Sequence, residues 1–93
     1  MKKINYLSFA IFFAVLTISV AAQNSKALFD KGLEEFKAGN FEAAIQSFQG
    51  YARSNPKDEA AQYNIGLCYY RLEKYDLAAT YLKQAINLKP DYL

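Results

Sequence analysis

The sequence predicts an all-α chain of two antiparallel helix-turn-helix units. Three observations predict it: an internal period of 34 residues, an apolar stripe at helical spacing that occurs twice, and a proline closing each unit. The period is read from identical pairs: Ala27 and Ala61, Gly32 and Gly66, Leu33 and Leu67, Ala44 and Ala78, Pro56 and Pro90. Conservative pairs share the same offset, among them Phe29 with Tyr63, Phe36 with Tyr70, Phe41 with Tyr75, Lys37 with Arg71 and Phe48 with Leu82. The identities fall on the small, aliphatic and proline positions that helix packing constrains, so the period marks a structural unit.

Each element follows in order. The first helix of each unit runs roughly from Ser25 to Lys37 and from Asp58 to Leu72, with Ser25 and Asp58 as N-caps. In the second helix of the first unit, Phe41, Ala44, Ile45, Phe48, Tyr51 and Ala52 form one apolar face. Tyr75, Ala78, Ala79, Leu82, Ala85 and Ile86 repeat that face in the second unit. The junctions Ala38-Gly39-Asn40 and Glu73-Lys74 are short enough to require an antiparallel hairpin. Asn55-Pro56 and Lys89-Pro90 end the second helices, because proline disfavours helix in the residue before it and has no N–H for the ladder. Gly32, Gly66, Ala44, Ala78 and Ala85 are expected where paired helices approach closely, with Phe41, Phe48, Tyr69 and Tyr75 filling the space beside them. The outward side of the last helix, around Tyr81, Ala85 and Leu88, is expected to lack a cover.

The run Tyr63-Asn64-Ile65-Gly66, followed by Tyr69-Tyr70, Tyr75, Ala78, Leu82, Ala85 and Pro90, closely resembles the tetratricopeptide repeat signature. The first unit resembles it in its second half, at Gly39, Phe41, Ala44, Phe48 and Pro56. It departs at Lys31 and Glu35, where the next unit has Ile65 and Tyr69. Polar residues there suit a terminal helix with no repeat before it to pack on. The resemblance implies a short right-handed solenoid, with repeats about 25–58 and 59–92 in a domain of residues 23–93.

Residues 1–22 read as an address. Lys2 and Lys3 form a basic start, Leu7 to Leu16 is an apolar run broken only by Ser8, and Val20 and Ala22 offer small side chains for a signal peptidase. Cleavage is expected between Ala22 and Gln23, giving an exported chain, periplasmic or secreted. The alternative is an uncleaved anchor formed by residues 4–22, close to the ~20 residues that span a bilayer but diluted by Asn5, Ser8, Thr17 and Ser19. Lys2 and Lys3 also account for the whole formal charge of +2, so the remainder carries no basic field for nucleic acid.

The inventory disfavours chemistry. With no His and one Cys, a His-based triad, a His metal site and an intrachain disulfide are excluded. Cys68 reads as a small buried hydrophobe. Glu34 and Glu35 are adjacent, hence about 100° apart around a helix, and read as a solvated face rather than a converging acid–base pair. No catalytic residue, cofactor, metal or small-molecule substrate is expected.

What remains is a binding surface. The resemblance implies that the first helices line a concave groove for a peptide or helix of another protein, with Phe29, Leu33, Phe36, Tyr63 and Tyr70 as contacts. The carboxylate clamp known in this family is disfavoured: Asn64 matches its middle Asn, but Phe29 and Leu33 replace its first Lys and Asn. A membrane-anchored or self-associating structural component is the alternative, with membrane contact only if the leader is retained.

Overall fold

The computed structural model describes residues 24–89. The expected leader and its cleavage before Gln23 lie outside the described residues, as does Pro90. Among the described residues all regular structure is helical: α1 (24–37), α2 (Phe41–Ser54), α3 (Glu59–Arg71) and α4 (Tyr75–Leu88).

The helix ends follow from local chemistry. Asp58 caps α3, its carboxylate accepting the Ala60 N–H at 3.0 Å. Ser25 is no cap: α1 already includes residue 24, and the Ser25 hydroxyl is turned inward, accepting from Asn55 Nδ2 at 2.5 Å. Both hairpin turns use the same device. Asn40 N–H bonds Glu35 C=O and Gly39 N–H bonds Phe36 C=O; Lys74 N–H bonds Tyr69 C=O and Glu73 N–H bonds Tyr70 C=O. This paired arrangement closes a helix through one left-handed residue. Gly39 takes that role at φ 81°, whereas in the second hairpin it falls to Glu73 at φ 61°. The left-handed region costs an L-residue with a Cβ about 1–2 kcal/mol.

Contacts fix the directions of the helices. Residue 25 of α1 meets residue 55 just beyond α2, residue 35 meets 47, and residue 36 meets 41. Residues 59 and 89, 69 and 81, and 70 and 75 do the same in the second hairpin. Each hairpin is therefore antiparallel. Tyr51 donates to Asp58 at one end of the α2–α3 pair, and the Arg71 guanidinium lies over the Phe41 ring at the other, so these helices also run antiparallel.

The core forms where α1, α2 and α3 meet. Ala44, Ile45, Phe48, Ile65 and Cys68 are buried there, with Phe29, Leu33, Phe36, Phe41, Tyr69, Leu72 and Tyr81 packed around them. The repeat glycines permit this approach. A Cβ on Gly32 would lie 2.7 Å from the Phe48 ring, and one on Gly66 would lie 2.9 Å from Leu82. Ala78 sits at the tight point of the second hairpin, its carbonyl oxygen 3.3 Å from that Gly66 position.

Three expected placements are corrected. Tyr75 is 56% exposed rather than core, because among the described residues no helix lies over the start of α4 as α3 lies over α2. Ala85 is buried against α3 rather than outward, and Tyr81 stacks on Tyr69 of α3 at 5.4 Å. The exposed large apolar residues of α4 are instead Tyr75 on one side and Leu77 with Leu88 on the opposite side. Glu35 is not on a solvated face: it is half-buried and accepts the hydroxyl of the buried Ser47 at 2.5 Å, while Glu34 faces water and pairs with Lys37 at 3.4 Å.

Candidate functional site

α1 and α3 run side by side in the same direction, since each is antiparallel to α2. The 34-residue period therefore matches Phe29 with Tyr63, Leu33 with Leu67 and Phe36 with Tyr70 along two neighbouring helices. These positions fall at i, i+4 and i+7, one strip of a helix surface.

The structure divides them by how much they are already used. Phe29 is half-buried, its ring 5.4 Å edge-on from Phe48 and 4.8 Å from Tyr51, so it closes the seam between α1 and α2. Leu33 is half-buried against the core cluster. Phe36 packs edge-on to Phe41 at 5.3 Å, and Arg71 lies over both rings, 5.6 and 5.4 Å from their centroids. Tyr63 is half-buried on α3. Tyr70 is 58% exposed and packs edge-on to Tyr75 at 5.5 Å. The strip is thus a wall that grades from packed rings on α1 to an open ring at the end of α3.

The polar groups near this strip serve the fold. Asn64 Nδ2 donates to the Ala60 carbonyl of its own helix at 2.9 Å. Asn55 Nδ2 ties Ser25 to the Tyr51 carbonyl. Tyr51 donates to Asp58, and that hydrogen bond, with burial and the neighbouring carboxylate charges of Asp58 and Glu59, pushes its phenol up to about 12. Cys68 is fully buried, and burial pushes its thiol up to about 11, leaving it protonated and out of reach of a partner at neutral pH. Among the described residues, no group of three or more acidic, Cys or His side chains is placed to hold a metal ion, and no helix is long and apolar enough to cross a membrane.

Two clefts lie off the strip, neither of them lined by its residues. On the side of α2 and α4, a shallow cleft of about 400 Å³ opens over Gln62 and Ile65 of α3. At the α3–α4 turn, a cleft of about 450 Å³ is lined by Glu73, Lys74, Tyr75, Asp76 and Leu77. Sequence reasoning missed Arg71 and Tyr75 as surface-forming residues. The signal for them was present in the basic pair Lys37 and Arg71 and the aromatic pair Phe41 and Tyr75, each separated by the period.

Comparison with known proteins agrees with this architecture. The model of a family described as tetratricopeptide repeat matches residues 29–92. Neutrophil cytosol factor 2 of Mus musculus is 35% identical over 64 residues, which are 69% of this chain and 12% of that protein. The chain spans a small part of that curated relative's length.

Proposed function

The chain belongs to the tetratricopeptide repeat family, whose repeats mediate protein–protein interaction, and on that premise we propose that it is a non-enzymatic binding module working outside the cytoplasm. The bound segment is an apolar or aromatic stretch of another protein, extended or helical, lying along α1 and α3. Tyr63 and Tyr70 are its principal anchors, and Phe29, Leu33 and Phe36 form the wall behind it. The observation that carries this reading is the matched aromatic strip: a chain keeps aromatic rings in register at half-exposed positions of two adjacent helices when something covers them. Tyrosine suits the task, presenting a broad apolar face with a polar tip and few rotamers to order.

Export rests on the basic start, the apolar run and the small residues before Gln23. Intact mass of the exported species is expected to place Gln23 at the N-terminus; a membrane-bound species retaining residues 1–22 would instead favour the anchored alternative. For the groove, a photo-crosslinking residue at position 63 is compared with one at the exposed Gln46 of α2. Adducts with a defined partner at 63 and none at 46 are expected. Equal adducts at both positions, or adducts only at 46, would remove the groove as the binding face.

A further inference from the structure

The two hairpins carry an aromatic pair at the same place, and among the described residues only one of the pairs is finished. In the first, Phe36 and Phe41 meet edge-on at 5.3 Å and 72°, and the Arg71 guanidinium lies over both rings. In the second, Tyr70 and Tyr75 meet edge-on at 5.5 Å and 66°, yet both are more than half exposed. Arg71 comes from the last turn of the helix that packs on α2, after Ala61, Ile65 and Cys68 on one face of α3, all of them buried. We propose that the Tyr70–Tyr75 pair is a guanidinium seat, filled by an arginine at the end of a partner protein's amphipathic helix that packs on α4 as α3 packs on α2.

Three features support this occupant. The seat continues an interface already made within the chain, one period further on. The partner helix is accordingly specified: small or aliphatic residues at i, i+4 and i+7, then arginine at i+10. The surroundings have the right sign, since Glu73 and Asp76 line the cleft beside Tyr75, against the single cation of Lys74. Tyrosine faces also attract a cation through the ring quadrupole, and a planar guanidinium stacks on them as well. A second copy of this chain fits poorly if it offers α1. The α1 positions equivalent to Ile65 and Cys68 are Lys31 and Glu34, both exposed and charged, so that helix would bring two charges onto the apolar face of α4.

The seat shares Tyr70 with the groove reading but is filled from the α4 side at the α3–α4 turn, so Tyr75 is the residue that tells the two apart. A capped peptide carrying residues 59–72 with Cys68→Ala supplies the stripe and its arginine; a second peptide adds Arg71→Gln. Each is titrated into the full chain while the ring signals of Tyr70 and Tyr75 are followed by NMR. The arginine peptide is expected to shift both rings and to bind about three- to tenfold tighter than the glutamine peptide, the range that a cation over two partly exposed rings supplies. Tyr75→Ala, at an exposed position, is expected to abolish that difference while the circular dichroism spectrum is kept. Equal affinities, no binding by either peptide, or shifts confined to Tyr63 and Leu33 would overturn the proposal. The last of these would still leave the groove as a binding face.

Discussion

The two hairpins share one set of contacts and differ in the chemistry that makes them. Where the first joins its ends through Asn55 and Ser25 at 2.5 Å, the second uses an ion pair, Lys89 to Glu59 at 3.7 Å. Ser47 donating to Glu35 in the first becomes Tyr81 stacked on Tyr69 in the second. The Gly32–Phe48 approach becomes Gly66–Leu82. The first exchange replaces neutral partners by charged ones, the second polar by aromatic, and the third an aromatic by an aliphatic side chain. The lesson is that the repeat conserves a spacing, and any pair of side chains that fills the spacing is admitted.

Burial does not follow the period. Ile45 is buried, while its equivalent Ala79 is exposed; Ala61 is buried, while its equivalent Ala27 is exposed. In each case the buried member faces the seam between α2 and α3. Stability should therefore be concentrated at that seam and thin toward α4. The largest expected effect tests this: Phe48→Ala, fully buried, should lose about 3–5 kcal/mol, against about 2 for the half-buried Leu82→Ala, in chemical denaturation. Equal losses would erase the distinction between the hairpins.

A smaller pair of effects probes the turns. Gly39→Ala should destabilise by about 1 kcal/mol, because it places a Cβ at φ 81°. Glu73→Gly at the matching position should stabilise by about 0.5–1 kcal/mol, because it relieves the strain at φ 61°. Opposite signs from equivalent positions are the expected outcome in thermal melts; equal signs would mean that the two turns are not alike.

The smallest effect is confined to alkaline solution. The folded state holds the Tyr51 proton from the ordinary value of 10.0 up to about 12. Its contribution is therefore complete below pH 10 and is lost as pH rises through about 12. Tyr51→Phe should flatten that stretch of the stability profile, and the last tyrosine to ionise by ultraviolet titration should vanish with it. In the second hairpin Ala85 stands at the position of Tyr51, and the raised phenol there is that of Tyr69, pushed up by burial rather than by a carboxylate hydrogen bond.

Much of this was legible in the sequence because helical period and repeat period are both properties of spacing. The four helices and their turns could be located from Gly39, Asp58, Pro56 and the apolar stripes. The burial of Ala85 was legible from its place among the close-approach positions, although the same residue was also assigned to the outward side; the exposure of Tyr75 was not legible, because periodicity predicts a face without saying whether anything covers it. Ser25 misled for a related reason. A serine before an apolar run reads as a cap, but its hydroxyl was committed to Asn55, 30 positions away. Glu35 likewise looked solvated until Ser47 was brought to it. At the candidate site, the aromatic positions could be listed from the period, while the Arg71 stack needed the α1–α3 juxtaposition.

The central claim is that the hairpins are alike in geometry and unlike in stability because, among the described residues, only the first is covered. Native-state hydrogen exchange at matched amides measures this directly, comparing Ile45 and Phe48 of α2 with Ala79 and Leu82 of α4. All four lie inside helices of equal length, 14 residues each. The account predicts slower exchange at both α2 amides than at their α4 equivalents. Equal protection across the pairs, or greater protection in α4, would contradict it.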